Sequence, residues 1–157
     1  MSKAAAAPRG RYFEDFTVGE EIQTPARTIT NTDIVNFACL SGDFNEVHTN
    51  HEYLKTTSFG QPIAHGPLIY AVAAGLQYAS GVNDGTLIAL LQVDNWRMLN
   101  PVFHGDTIHM VSKVLDTKLS SKGDRGVVKF ERSVINQRGE IVQQMESKYL
   151  YKCRPQA

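Results

Sequence analysis

Side chains that could carry chemistry are most closely spaced in the segment Ser41-Gly42-Asp43-Phe44-Asn45-Glu46-Val47-His48. Asp43 and His48 are five residues apart in a stretch typical of turns, so both can face one cavity and bind one water. A carboxylate beside an imidazole suits general acid–base catalysis, because the imidazole changes protonation near neutral pH. Asp43 also fits an Asx turn and His48 a half-buried structural histidine, so the spacing alone leaves both interpretations open.

A second candidate segment is Gln61-Pro62-Ile63-Ala64-His65-Gly66-Pro67. Gly66 begins an apolar run that predicts a helix, and Pro67 suits the first turn of that helix. A backbone N–H at this point, reinforced by the helix dipole, can bind a carbonyl oxygen that acquires negative charge. Gly66 also fits a purely structural role as a helix start. Together, the Asp43–His48 pair and this donor match what addition or elimination beside a thioester carbonyl requires.

The elements that hold these segments are helical and loop-like in the first half of the chain. Residues 20–29 predict a strand with a bend at Pro25, and Thr30 or Thr32 can cap the helix that follows. This helix is expected to end near Gly42. Residues 43–50 are typical of a turn, and residues 51–57 predict a short helix. The apolar positions at helical spacing are Ile34, Phe37, Ala38 and Leu40.

One apolar helix and four strands are predicted for the rest of the chain. Residues 66–80 are apolar nearly all round, which indicates a buried helix. The predicted strands are residues 87–96, 107–119, 126–135 and 141–151, with turns at 120–124 and 136–139. Alternation in the third of these strands puts Val128, Phe130, Arg132 and Val134 on one face. The pattern favours an α+β fold in which an antiparallel sheet wraps one helix.

The signature Gly-Asp-x-Asn-x-x-His in residues 37–48, with Ala-His-Gly in residues 59–66, resembles the MaoC-like dehydratase family. That family includes the (R)-specific enoyl-CoA hydratases. The resemblance extends from about Tyr12 to Lys152. It implies a hot-dog fold, in which an antiparallel β-sheet wraps a long central helix, and it implies pairing into a homodimer or a higher homo-oligomer.

The same resemblance implies a reaction and the residues that perform it. Asp43 and His48 would hold and activate a water, and Gly66 would supply the oxyanion N–H. Ser41, Asn45 and His65 would support the site, and turn chemistry favours Asn45 as a brace of the loop. The implied reaction is reversible hydration of a trans-2-enoyl-CoA to an (R)-3-hydroxyacyl-CoA in fatty acid metabolism. The CoA thioester is then the substrate, and no cofactor is expected.

Two positions depart from the family pattern. Glu46 follows the signature Asn, where family members usually have Pro, and this places a carboxylate beside the candidate site. Ala74 stands in the predicted central helix where some hydratases carry a Ser. Any contribution from that hydroxyl is therefore absent from this chain.

Two other functions compete with hydration. A thioesterase on the same fold would use a carboxylate to direct water at the carbonyl carbon and would release free thiol. A non-catalytic module would bind acyl-CoA without needing Asp43 or His48 for its affinity. The presence of the acid, the imidazole and the helix-terminal donor together favours the hydratase, since function depends on the site rather than on the fold.

Length and charge fit one domain without a nucleic-acid partner. The 157 residues suit a flexible tail at 1–10 followed by a single domain at 11–157. Sixteen basic residues balance sixteen acidic residues, and a nucleic-acid-binding domain would normally be basic. Zero net charge also lowers the solubility of a free monomer, which favours a protein that oligomerises.

Cysteine and histidine usage argues against a disulfide framework and against a metal centre. Cys39 and Cys153 are the two cysteines, and no CxxC motif is present. His48, His51 and His65 could approach one another, but no carboxylate or further cysteine is expected to complete a ligand set. Without a signal sequence or an apolar run of membrane-spanning length, the chain is expected to be cytoplasmic and to have no membrane partner.

Overall fold

The computed structural model describes residues 9–155. Its helices are a 3-10 turn at Phe13–Asp15, α1 at Asn31–Ser41, α2 at Glu46–Thr49, α3 at His51–Leu54 and α4 at Gly66–Ala79. Its strands are β1 at Glu21–Gln23, β2 at Arg27–Thr28, β3 at Leu87–Met98, β4 at Thr107–Leu119, β5 at Arg125–Asn136 and β6 at Ile141–Lys152. Residues 1–8 of the predicted tail lie outside the described part, whereas Arg9 and Gly10 are hydrogen-bonded to Asp84.

The described strands form one antiparallel sheet. Its order is β1-β4-β5-β6-β3, and β2 pairs with another part of β4. Every second residue of β5 is buried, as the alternation in the sequence predicts. In the register of the sheet, Arg132 on β5 lies between Ser112 on β4 and Met145 on β6. The sheet and its single long helix give the predicted α+β architecture.

Helix α4 packs one apolar face against this sheet. The core contains Leu68, Ile69, Val72, Ala73 and Leu76 from α4, with Ile108, Met110, Val134, Val142 and Met145 from the strands. Removing this apolar surface from water is the main force that holds helix and sheet together. The prediction of a helix buried nearly all round was wrong, because Ala71, Gly75 and Tyr78 form an exposed face.

Helix α1 begins with a capping box. The hydroxyl of Thr30 accepts from the N–H of Asp33, and the carboxylate of Asp33 accepts from the N–H of Thr30. Thr30, rather than Thr32, is therefore the cap, and the helix ends before Gly42 as predicted. Leu40 was expected on the apolar face, but its side chain is 83% exposed.

Three predicted segments differ in detail. The strand predicted over residues 20–29 is broken around Pro25 into β1 and β2, which pair with different parts of β4. The turn predicted over residues 43–50 contains the four-residue helix α2. The next helix, α3, ends at Leu54 instead of reaching residue 57.

Strand β3 lies at one edge of the sheet and pairs with β6 along one side. It runs two residues beyond the predicted end at Trp96. The strand is strongly apolar, and several of its side chains are exposed. The exposed residues of β3 and its end are Ile88, Leu90, Leu91, Trp96, Met98 and Leu99. An exposed apolar edge strand is a surface on which another chain can pair.

Two observations bear on the compartment in which the protein works. No helix within residues 9–155 is both long and apolar enough to span a membrane. Cys39 is exposed, Cys153 is partly exposed, and both thiols are free. The cytoplasmic location stays a prediction.

Loss of the Thr30 cap is expected to destabilise the fold. Thr30→Ala leaves the N–H of Asp33 without its side-chain acceptor and should lower the free energy of unfolding by about 0.5–2 kcal/mol. Urea denaturation followed by circular dichroism measures this difference. Thr30→Ser keeps the hydroxyl and is the matched control. Equal midpoints for wild type and Thr30→Ala would show that the cap contributes nothing.

Candidate active site

The turn after α1 fixes Asp43 through short local hydrogen bonds. Gly42 has a left-handed conformation with φ of 76°, which ends the helix. The hydroxyl of Ser41 donates to the carbonyl of Phe37 at 2.7 Å and accepts from the N–H of Asp43 at 3.2 Å. The carboxylate of Asp43 accepts from the side-chain amide of Asn45 at 2.6 Å and from its backbone N–H at 3.3 Å. Both predicted supporting residues in this segment therefore contact Asp43.

These bonds further favour the ionised form of the Asp43 side chain. The backbone N–H of Asn45 has the largest effect and lowers the pKa of the carboxyl below its usual 3.8. Desolvation opposes this effect, whereas the Asn45 amide lowers the pKa of Asp43 further, as does a positive charge on His48 or His65 when either ring is protonated. At neutral pH, Asp43 is therefore a carboxylate that can only accept hydrogen bonds.

His48 has one ring nitrogen committed to the backbone. Its Nδ1 lies 2.7 Å from the carbonyl oxygen of Ile63. Because a carbonyl only accepts, Nδ1 carries the hydrogen, and Nε2 of the neutral ring keeps its lone pair. Nε2 lies 4.0 Å from Oδ2 of Asp43, too far for a direct hydrogen bond. One water can bridge two acceptor atoms at this separation.

His65 supports both members of this pair. Its Nε2 lies 2.9 Å from the backbone carbonyl oxygen of Asp43, to which it donates. Its ring stacks on the ring of His48, with centroids 3.7 Å apart and planes 26° apart. The ring of Phe37 also packs against the ring of His65, with the two centroids 5.0 Å apart. His65 is 1% exposed. His65 therefore contacts both the backbone of Asp43, through a hydrogen bond, and the ring of His48, through stacking.

Gly66 and His48 line the same cavity. It is the first residue of α4, and its N–H donates to no acceptor within residues 9–155. Its carbonyl accepts from the side-chain amide of Gln143 at 2.7 Å. A cavity of about 280 Å³ adjoins both residues. Its lining includes His48, Phe59, Ile63, Gly66, Met98 and Gln143. An N–H at a helix start therefore lies on one cavity with the imidazole.

The absence of a side chain at residue 66 is a packing requirement. A Cβ on Gly66 would lie 2.7 Å from Cε and 3.2 Å from Cγ of Met98. Met98 ends strand β3, so the edge strand forms one wall beside the candidate oxyanion donor. A larger residue at position 66 would displace that wall.

Three contributors to the site were not identified from the sequence. The carbonyl of Ile63 orients His48, but every residue has a carbonyl, so no sequence signal marks it. Gln143 and Met98 reach Gly66 from β6 and β3, far along the chain. The sequence offers no signal for these two contacts, because they depend on sheet register.

The structure brings a carboxylate to two of the candidate metal-binding histidines. Asp43, His48 and His65 each offer a ligand atom, and these atoms lie within 4.8 Å of one another. Asp43 therefore lies near two of these histidines, while His51 is exposed on α3 and outside this group. The stacked rings direct their nitrogen lone pairs along nearly parallel planes, which suits tetrahedral ligation poorly. A site without metal stays a prediction.

The two departures from the family pattern have simple structural outcomes. Glu46 is the first residue of α2, and its carboxylate accepts from the side-chain amide of Asn50 at 3.0 Å. Its charge is therefore directed along the short helix. Ala74 is partly buried on α4 and leaves that position without a hydroxyl.

Solved structures share this architecture. The chain superimposes with a TM-score of 0.84 on the monoamine oxidase regulatory protein from Archaeoglobus fulgius, with 37% sequence identity. The match covers 93% of this chain and 97% of that one. A Mycobacterium tuberculosis protein described as a double hot-dog fold matches with a TM-score of 0.84 at 19% identity, over 95% of this chain and 46% of that one. The fold is therefore a hot-dog fold.

Sequence relatives include proteins named for reactions on CoA thioesters. Protein MaoC of Klebsiella aerogenes is 39% identical over 80% of this chain and 34% of its own length. Mesaconyl-CoA hydratase of Cereibacter sphaeroides is 32% identical over 85% of this chain and 38% of its own length. The (R)-specific enoyl-CoA hydratase of Rhodospirillum rubrum is 47% identical over 36% of this chain and 39% of its own length.

The matches thus cover little more than a third of each of these three relatives. The MaoC like domain family matches residues 14–136, which is most of the chain. Those residues contain the Asp43–His48 pair, the His65 support and the Gly66 donor described above. The chain belongs to the MaoC-like dehydratase domain family.

Proposed function

We propose that this chain hydrates a trans-2-enoyl-CoA to an (R)-3-hydroxyacyl-CoA, and catalyses the reverse dehydration. The observation that carries the proposal is the grouping of an ionised acid, an imidazole of fixed tautomer and a helix-terminal N–H. His48 and Gly66 share a cavity, and Asp43 lies 4.0 Å from His48. The relatives named as CoA-thioester hydratases support this reaction class.

The nucleophile is a water held between Asp43 and His48. Its two hydrogens point to Oδ2 and Nε2, which leaves an oxygen lone pair free for the substrate. His48 is the base, because Nδ1 already holds a hydrogen for Ile63 and the lowered pKa of Asp43 makes its carboxylate a weak base. Asp43 orients the water and stabilises the imidazolium that forms.

The bonds change in two steps. The water oxygen bonds to Cβ, a proton moves from the water to Nε2 of His48, and the Cα=Cβ electron pair shifts to form an enolate. The N–H of Gly66, at the positive end of the α4 dipole, stabilises the enolate oxygen. The imidazolium then returns its proton to Cα, so one water has been added and His48 is again neutral.

Asp43→Asn and His48→Gln are each expected to lower kcat/KM for crotonyl-CoA hydration by about 10²–10⁴-fold. Each change removes a group that holds or deprotonates the water. The assay follows loss of the conjugated enoyl-thioester absorbance, with chiral analysis of the 3-hydroxy product. His51→Gln replaces an exposed histidine outside the site and should retain wild-type activity.

Parallel titration of free thiol separates the competing functions. Thiol release would assign the chain to the thioesterases instead. Acyl-CoA binding that both variants retain, without turnover by wild type, would favour the non-catalytic module.

Asn45→Ala is expected to raise the pKa of Asp43 toward the usual 3.8 by removing the side-chain amide. The backbone N–H of residue 45 remains, so the pKa should return only in part. Carboxyl ¹³C NMR titration of Asp43 in the folded protein measures the change. Asn50→Ala removes an amide that contacts Glu46, and it should leave the Asp43 titration unchanged. An unchanged Asp43 pKa in Asn45→Ala would contradict this account of the turn.

We also propose that two copies of the chain pair through the edge strand β3 and the exposed face of α4. This region carries apolar side chains that the described residues leave uncovered, including Leu91 and Tyr78. The opposite side of β3 carries no strand of the described chain, so its backbone groups can extend the sheet into a second copy. A chain with no net charge gains solubility by covering such a surface.

Leu91→Lys is expected to weaken the dimer, because a charge replaces apolar surface that pairing would bury. Burial of a leucine is worth about 1.5–3 kcal/mol, so the dimer dissociation constant should rise at least tenfold. Sedimentation velocity over a concentration series measures the constant. Leu119→Lys changes an equally exposed leucine on β4 and is the control. A monomeric wild-type protein, or equal effects of both substitutions, would refute pairing through β3.

A further inference from the structure

A fully buried arginine lies beneath α4, outside the proposed catalytic group. Arg132 on β5 is 0% exposed. Its Nη1 donates to the hydroxyl of Tyr149 at 2.6 Å, and its Nε lies 3.2 Å from the sulfur of Met110. Its Nη2 is buried without a hydrogen-bond partner. The guanidinium also lies against the rings of Tyr70, at 5.7 Å, and Tyr149, at 5.4 Å.

No carboxylate within residues 9–155 balances that charge. All Asp and Glu residues lie within residues 9–155, and none of the ion pairs there includes Arg132. Tyr149 cannot serve as the anion, because burial raises its pKa to about 12 and keeps its hydroxyl neutral. Buried charges in proteins are normally paired, since an unpaired one costs several kcal/mol.

The strand position that carries Arg132 lies near the residue that contacts Gly66. Gln143 contacts Gly66 and is two residues from Met145, which pairs with Arg132 across the sheet. One strand spacing and two residues along a strand place the backbones of Gln143 and Arg132 about 8 Å apart. An extended chain advances about 1.2 Å per bond, so about seven bonds span this distance.

One face of helix α4 runs from Gly66 toward Arg132. Tyr70, Ala74 and Gln77 follow Gly66 by four, eight and eleven positions and therefore share its helix face. Gln77 is 4% exposed, so one polar side chain of this face lies in the interior. Tyr70 contacts both Arg132 and the exposed Trp96, whose ring is 5.3 Å away. Arg132 does not line the cavity beside Gly66, so a ligand from that cavity reaches Nη2 only if side chains such as Tyr70 move.

We propose that Arg132 binds a carboxylate at the far end of the acyl group, which makes CoA thioesters of dicarboxylic acids the substrate class. The carboxylate accepts from Nη2 and neutralises the guanidinium in a charge-assisted hydrogen bond. Arg132 is then a specificity-determining residue. The inference rests on the proposed function, because the Gly66 donor sets where the acyl group begins.

Binding of two saturated, unreactive thioesters tests the proposal independently of catalysis. Adipoyl-CoA and hexanoyl-CoA have the same chain length and differ in a terminal carboxylate. By titration calorimetry, wild type should bind adipoyl-CoA about 10–100-fold more tightly, the range expected for a hydrogen bond between charged groups. Arg132→Met should abolish this preference, while Arg132→Lys, which keeps a positive charge, should retain part of it. Equal affinities in wild type, or a preference that survives in Arg132→Met, would overturn the proposal.

Turnover of the matching unsaturated pair separates this proposal from the proposed reaction. Hydration of trans-2-hexenoyl-CoA and trans-2-hexenedioyl-CoA with equal kcat/KM would keep the hydratase and refute the carboxylate site. An adipoyl-CoA preference without hydration of either compound would refute the hydratase and keep the site. If Arg132→Met does not fold, arginine side-chain NMR of the wild-type protein tests whether Arg132 binds the carboxylate. Adipoyl-CoA, and not hexanoyl-CoA, should then shift the Arg132 signal, which Arg132→Lys identifies by its loss.

Discussion

The hydrogen bond from Nδ1 of His48 to the carbonyl of Ile63 is the contact on which the site depends. It assigns the ring hydrogen to one nitrogen and leaves the other nitrogen as an acceptor beside Asp43. The contact exists because the backbone of Ile63 runs beside α2, where its N–H also donates to the carbonyl of Val47. The chain then enters α4 three residues later, so the same short segment positions the imidazole and begins the helix that carries the Gly66 donor.

Local residue types predicted which candidate site residues lie together better than they predicted the residues that surround them. The Asp43–His48 spacing, the turn residues and the start of α4 are short-range features, and each leaves a signal in neighbouring residues. The contacts of Gln143 and Met98 with Gly66 depend on how β6 and β3 register against the rest of the sheet. The apolar run of α4 predicted burial and β3 is also strongly apolar, but one side of each is exposed in the single chain. An apolar sequence indicates that a surface avoids water, without indicating whether the same chain covers it.

Arg132 shows a different limit of sequence patterns. The alternation of β5 correctly put this arginine on the same face as Val128, Phe130 and Val134. A pattern of apolar and polar residues describes which face a side chain occupies, and it gives no account of why a charge should be there. That question arises from the folded structure, where two tyrosines and a methionine surround the guanidinium and its Nη2 has no partner. The energy of burying this charge makes the position informative about ligands.

The groups proposed to react and the residues proposed to contact the acyl group come from different parts of the chain. Asp43, His48 and Gly66 lie within a stretch of 24 residues, whereas Met98, Arg132 and Gln143 belong to three separate strands. Mutations in the strands can therefore change which thioester fits while the reacting groups keep their geometry. Such separation lets duplicated genes diverge in specificity without first losing activity. It also makes the inward-facing strand positions the natural targets for directed evolution of this scaffold.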